Sequence, residues 1–231
     1  MIQKILEVKN LNVFLDNEKI LDNISFTLNQ GEILIILGPN GAGKSVLLKT
    51  ILGILPYNGQ VIWANKFKIS YLPQGLNQLF FKNLPITVKD FFNLKNKKFK
   101  EDEIINVLKL VGLDKDILNK SIGNLSTGQF QRILIAWSLI DNPEVIFFDE
   151  PTTGIDIGGG ETIYSLLYKI KQDKNLTIVL VTHDLNIVYG LADKVLCLGK
   201  KGHICFGPPA KALTPQALEA MFGMELKFYK H

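Results

Sequence analysis

Eight residues, Gly38-Pro39-Asn40-Gly41-Ala42-Gly43-Lys44-Ser45, restrict the fold of this chain more than any other stretch, because they set four residue types at defined spacings. The apolar run 33–37 before them predicts a buried strand, and residues 44–52 after them predict a helix. Glycine admits left-handed backbone, so successive N–H groups at such a turn can face inward and ring an anion. The N-terminal end of the helix adds its positive dipole. The pattern predicts a phosphate cradle built from Gly38, Pro39, Asn40, Gly41, Ala42, Gly43, Lys44, Ser45 and Val46. In it Lys44 would reach the β- and γ-phosphates of a nucleoside triphosphate, and the Ser45 hydroxyl would ligate Mg²⁺. A glycine-rich turn that binds nothing is the plain alternative, and the strand–turn–helix setting argues against it.

A chain of 231 residues with 47% apolar content suits one substantial globular domain, or one domain with an inserted lobe. The absence of an apolar run near 18 residues or of a signal-peptide core leads to the expectation of a soluble, intracellular protein. Cys197 and Cys205 are the only cysteines, which argues against a disulfide framework and for small buried thiols in a reducing compartment. A net charge of +4 is too mild to imply a nucleic-acid partner, and the run Lys95-Asn96-Lys97-Lys98-Phe99-Lys100 reads as a solvated loop. The chain has three histidines and no Cys-x-x-Cys or His-x-His; His203 and Cys205 near Cys197 across the predicted hairpin are the one conceivable metal site, set against the reading as small buried thiols.

Residues 5–28 alternate apolar and polar in two runs broken at Asp16-Asn17-Glu18, predicting an antiparallel pair against the cradle strand. Asn58-Gly59 predicts a turn, with strands at 60–64 and 68–72. From 85 to 142 the period becomes helical, as an insert would be. Strand and helix alternate again through 145–148, 161–170 and 177–181. A hairpin, 194–198 with 203–206, and a helix over 214–222 follow. The expected class is α/β: a P-loop fold with a mixed, mainly parallel core sheet, an antiparallel β subdomain and an inserted α-helical subdomain. Residues 1–84 and 143–231 would form the nucleotide-binding core and 85–142 the helical subdomain.

The strand 145–148 runs into Asp149-Glu150-Pro151, which puts two acids at the carboxyl edge of a parallel strand, where open α/β sheets bind ligands. Asp149 would hold Mg²⁺ through water, and Glu150 would serve as general base on the attacking water. Leu125-Ser126-Thr127-Gly128-Gln129 offers a further anion site: a helix start, a hydroxyl, and a glycine that permits close approach. A Ser-capped helix is the bland reading of that stretch.

Leu125 to Gln129 resembles the signature sequence of ATP-binding cassette (ABC) ATPases, with Thr127 where glycine is usual. The resemblance implies that the signature of one subunit closes on ATP held by a second copy, so that two nucleotides are sandwiched in a dimer. It also implies that Gln74 senses Mg²⁺ and the attacking water, that Asp156 reaches across the dimer, and that His183 contacts the γ-phosphate and orients Glu150. The adenine-stacking aromatic should fall near Leu15; Phe14 adjoins it but on a regular strand faces the other way. Trp137 stands where an arginine is common.

Ile69-Ser70-Tyr71-Leu72-Pro73-Gln74, Leu84-Pro85-Ile86-Thr87-Val88 and His203-Ile204-Cys205-Phe206-Gly207-Pro208-Pro209 further resemble ATPase subunits of bacterial zinc and manganese importers. That likeness implies integral membrane permease subunits, an extracytoplasmic metal-binding protein, a place on the cytoplasmic face of the membrane, and no nucleic acid. Residues 76–84, apolar and next to Gln74, are the expected contact with a permease helix. A cassette acting on DNA or ribosomes would be expected to carry two cassettes or a long coiled coil, and a P-loop kinase has no use for a second phosphate site.

Overall fold

The computed structural model describes residues 3–76, 78–95, 99–151, 157–199 and 202–222, with backbone only at 157–162 and 203–204. In chain order the elements are β1 (Lys4–Leu15), β2 (Glu18–Asn29), β3 (Ile33–Leu37), α1 (Lys44–Ile51), β4 (Asn58–Trp63), β5 (Ile69–Leu72), α2 (Val88–Asn93), α3 (Glu101–Leu110) and α4 (Thr127–Leu139). Then come β6 (Val145–Asp149), α5 (Ile157–Lys174), β7 (Thr177–Thr182), α6 (Leu185–Leu191), β8 (Lys194–Gly199), β9 (Gly202–Gly207), α7 (Pro209–Ala212) and α8 (Pro215–Phe222). The chain forms two compact units, 1–66 with 175–231, and 67–174.

In the first unit, β3 lies between β7 and β8 and is parallel to both, with β9 antiparallel at the edge beyond β8. Every residue of β3 and β7 is buried, which is why β3 and the four central residues of β7, Ile178 to Val181, are apolar: a parallel strand covered on both faces has no polar side. The predicted β1–β2 pair is present, but it joins β4 in a separate three-stranded antiparallel sheet, order β2-β1-β4. Phe26 of β2 meets Phe206 of β9 at 6.1 Å between ring centres, one contact through which the two sheets pack.

Asn58-Gly59, expected as a turn, begins β4 instead. Gly59 has φ +109°, and a Cβ there would sit 2.4 Å from the Asn10 carbonyl oxygen, so the glycine serves a close approach to β1. The two cysteines also differ from expectation. Cys197 on β8 and Cys205 on β9 are direct cross-strand partners, 4.8 Å apart at Cα, and are joined as a disulfide. Sequence spacing does not reveal register, and register is what set the two sulfurs face to face.

The second unit holds the parallel pair β5–β6 and the helices α2 to α5. Helix α2 starts with a capping box: Thr87 accepts from the Asp90 N–H while Asp90 accepts from the Thr87 N–H. Helix α4 buries Phe130, Ile133, Leu134 and Ala136 and is tied to the end of α3 by Arg132, whose guanidinium donates to the Val111 carbonyl at 2.6 Å. The expected helical stretch, 85–142, lies within this unit.

Candidate nucleotide-binding site

In the first unit, β3 ends at Leu37 and the chain turns through Gly38 to Gly43 into α1, as expected from the sequence. Gly41 and Gly43 have φ of +80° and +87°, the left-handed backbone that a ring of inward N–H groups needs. Gly38 is required for another reason, since a Cβ there would lie 2.3 Å from the Leu198 carbonyl oxygen of β8. Helix α1 begins at Lys44, which places the amides of Lys44, Ser45 and Val46 at its positive end. The Lys44 side chain is buried, and its ammonium donates to the Gly38 and Pro39 carbonyls, each at 3.0 Å. It is thereby drawn over the turn and not out to solvent.

His183 follows Thr182, which is in register with Leu37 on the neighbouring parallel strand. The histidine and the cradle therefore leave adjacent strands at the same carboxyl edge, where ligands bind in open α/β sheets. Asp184 caps α6 by accepting from the Asn186 N–H, and its own N–H donates to the Thr182 hydroxyl, so the exposed His183 sits in a tied corner.

At the tip of the β1–β2 hairpin, the register shifts between Val13, opposite Leu21, and Phe14, opposite Lys19. Phe14 is 48% exposed beside a fully buried Val13, as alternation along a strand places it, with the Lys19 ammonium 5.8 Å from the ring centre. Leu21 and the preceding Ile20 are the side chains nearest Gly43, so the hairpin passes the cradle's exit.

In the second unit, β6 carries Asp149, 2% exposed, and Glu150 follows with φ +51°. A left-handed conformation at a non-glycine residue costs about 1–2 kcal/mol, and such strain gathers at functional positions. The Gln74 amide donates to the Glu150 carboxylate at 3.0 Å, joining two residues that the sequence had separated by 76 positions. The Tyr71 hydroxyl donates to Asp149 at 3.4 Å. Burial and then the Asp149 charge push the Tyr71 phenol up to about 12. Tyr71 was not singled out in the sequence; its signal is its place three residues before Gln74 on β5.

The Leu125 to Gln129 stretch forms the start of α4. Ser126 is the N-cap, its hydroxyl accepting from the Gln129 N–H, while the Gln129 side chain accepts from the Ser126 N–H. Thr127 is exposed at the first turn, and a Cβ on Gly128 would meet nothing within 4 Å. No neighbour among the described residues therefore requires that glycine. Near the other end of the helix, Trp137 lies under the Lys95 ammonium at 4.3 Å, and Lys95 pairs with Asp141 at 2.6 Å. Asp156 lies outside the described residues.

These features define a P-loop nucleotide-binding α/β protein. The sequence pattern of the ABC transporter family matches residues 21–153, and the chain belongs to that family. It is 42% identical over 235 residues to the zinc import ATP-binding protein ZnuC of Wigglesworthia glossinidia brevipalpis, with 99% of each chain covered. Its identity to the ZnuC protein of Buchnera aphidicola subsp. Schizaphis graminum is 38% over 235 residues, 99% of this chain and 96% of the other. Among solved structures, cbiO1 of Clostridium perfringens, part of the ABC transporter complex cbiONQ, superposes with a TM-score of 0.79. That pair shares 32% identity over 90% of each chain.

Proposed function

We propose that this chain is the ATP-hydrolysing subunit of a bacterial importer of a divalent metal ion, zinc being the cargo. The observation that carries the reading is the whole-length likeness to zinc import ATP-binding proteins, in a chain that presents both a phosphate cradle and a capped signature helix. Cradle residues Gly38 to Val46 grip the triphosphate, with Lys44 exchanging its carbonyl partners for phosphate oxygens. Phe14, exposed at the hairpin tip, supplies the face on which adenine stacks.

The donor set Ser45, Asp149 and Gln74 is all oxygen, hard chemistry that suits Mg²⁺. When bound, that ion offsets the charge of the phosphates. Glu150 takes a proton from the attacking water, Gln74 and His183 orient the water and the base, and Tyr71 steadies Asp149. Ser126, Thr127, Gly128 and Gln129 close on the nucleotide of a second copy, and Asp156 belongs to the same interface. The remaining partners are integral membrane permease subunits, which place the chain on the cytoplasmic face of the membrane, and an extracytoplasmic metal-binding protein. Among the described residues no helix is long and apolar enough to cross a membrane. Leu79 and Phe80, each 68% exposed just beyond Gln74, meet a permease helix.

The test is reconstitution with its membrane subunits. ATP-dependent zinc uptake exceeding manganese uptake supports the reading, manganese or iron preference moves the cargo, and no uptake of any metal overturns it.

A further inference from the structure

Between Gln74 and the signature helix lies a brace that the roles proposed above leave unused. The short turn Gln78–Phe81 packs against the turn Ile122–Asn124 that leads into α4. The Gln78 amide nitrogen donates to the Gly123 carbonyl at 2.9 Å and also to the Leu125 carbonyl, one N–H for each. Leu125 immediately precedes Ser126, the N-cap of α4. The backbones leave no slack, because a Cβ on Gly123 would fall 2.6 Å from Lys82 Cα and 2.7 Å from the Phe81 carbonyl oxygen. The Phe81 ring completes the joint, 5.8 Å from Phe130 of α4 and 5.6 Å from Phe91 of α2. The same turn points Leu79 and Phe80 outward.

We infer that Gln78 is a positioning residue for the ATPase reaction: it holds the Leu125 carbonyl, and through it Ser126 and the first turn of α4, in fixed relation to the segment that leaves Gln74. Two donors on one rigid amide convert a displacement of Leu79 and Phe80 into a displacement of the signature helix start. A turn that offered only apolar contact would slip. This inference rests on the reading that Ser126 and Gly128 act on a second copy's nucleotide, and it adds what keeps them in place.

The test compares full-length wild type with Gln78→Met, which keeps the side chain's length and loses both donors, and Gln78→Lys, which keeps donors. Readouts are kcat and KM for ATP, melting temperature, and stimulation of the ATPase by the membrane subunits in proteoliposomes. Gln78→Met should lower kcat and stimulation about tenfold and leave KM for ATP within about twofold. Gln78→Lys should recover most of the loss. A wild-type kcat and stimulation in Gln78→Met, or a loss that tracks the melting temperature and is not recovered by Gln78→Lys, overturns the inference. Should Gln78→Met fail to fold, Gly123→Ala presses on the same joint and must show the same split; if it does not, the inference is overturned. Gly128→Trp separates the two levels: if it too is harmless, the reading beneath is wrong; if it abolishes turnover while Gln78→Met is normal, only the brace is.

Discussion

The three cradle glycines are required for different physical reasons, and alanine at each should therefore cost a different amount. At Gly41, φ is +80° and the space around a Cβ is open, so the cost is conformational alone, about 1 kcal/mol. At Gly38 the backbone is not left-handed, and alanine gains up to ~1 kcal/mol by stiffening the unfolded chain. A Cβ 2.3 Å from the Leu198 carbonyl nevertheless has to push β8 from β3 by about 1 Å. Because the obstacle is backbone, the loss falls at the upper end of overpacking costs, a net of about 2 kcal/mol. At Gly43, φ of +87° adds to a contact of 2.8 Å with the Leu21 methyl, giving about 2–4 kcal/mol, eased as far as that side chain can move. Urea unfolding without nucleotide reads these costs apart from any binding role, as midpoint shifts at constant slope. The order expected is Gly41→Ala mildest, with Gly38→Ala and Gly43→Ala clearly worse. A neutral Gly38→Ala, or a Gly41→Ala as damaging as the other two, would refute the reasoning.

Replacing Glu150 by Gln should leave ATP affinity within about twofold and lower turnover at least a hundredfold, since on the proposed mechanism only the general base is lost; phosphate release checks it. Lys95→Met should cost about 1–2 kcal/mol in urea unfolding and change little with salt, because the ammonium is sheltered between Trp137 and Asp141. Lys89→Met, which breaks the exposed pair with Glu101, should cost under about 0.5 kcal/mol. The Thr87 hydroxyl and then its backbone N–H hold the Asp90 carboxyl below its usual range. The α2 cap is therefore at full strength above the ordinary aspartate pKa and is lost as pH falls through Asp90's lowered value. Thr87→Val should move that titration upward, read by carboxyl NMR.

The candidate site was legible in the sequence because a phosphate cradle is local. Three glycines, a lysine and a serine make the cradle out of nine consecutive residues directly after a strand, and the acids at the end of β6 and the capped start of α4 are likewise short runs. The parallel strands were legible too, since burial on both faces leaves an uninterrupted apolar word. Register and approach distance were not, because they are properties of two segments at once. Only the fold set Cys197 opposite Cys205, and placed a carbonyl against Gly38 and a strand against Gly59. It alone brought the Gln78 amide onto the two carbonyls before Ser126: each member of that brace is unremarkable in its own segment, and the contact exists only where the chain has returned to meet itself.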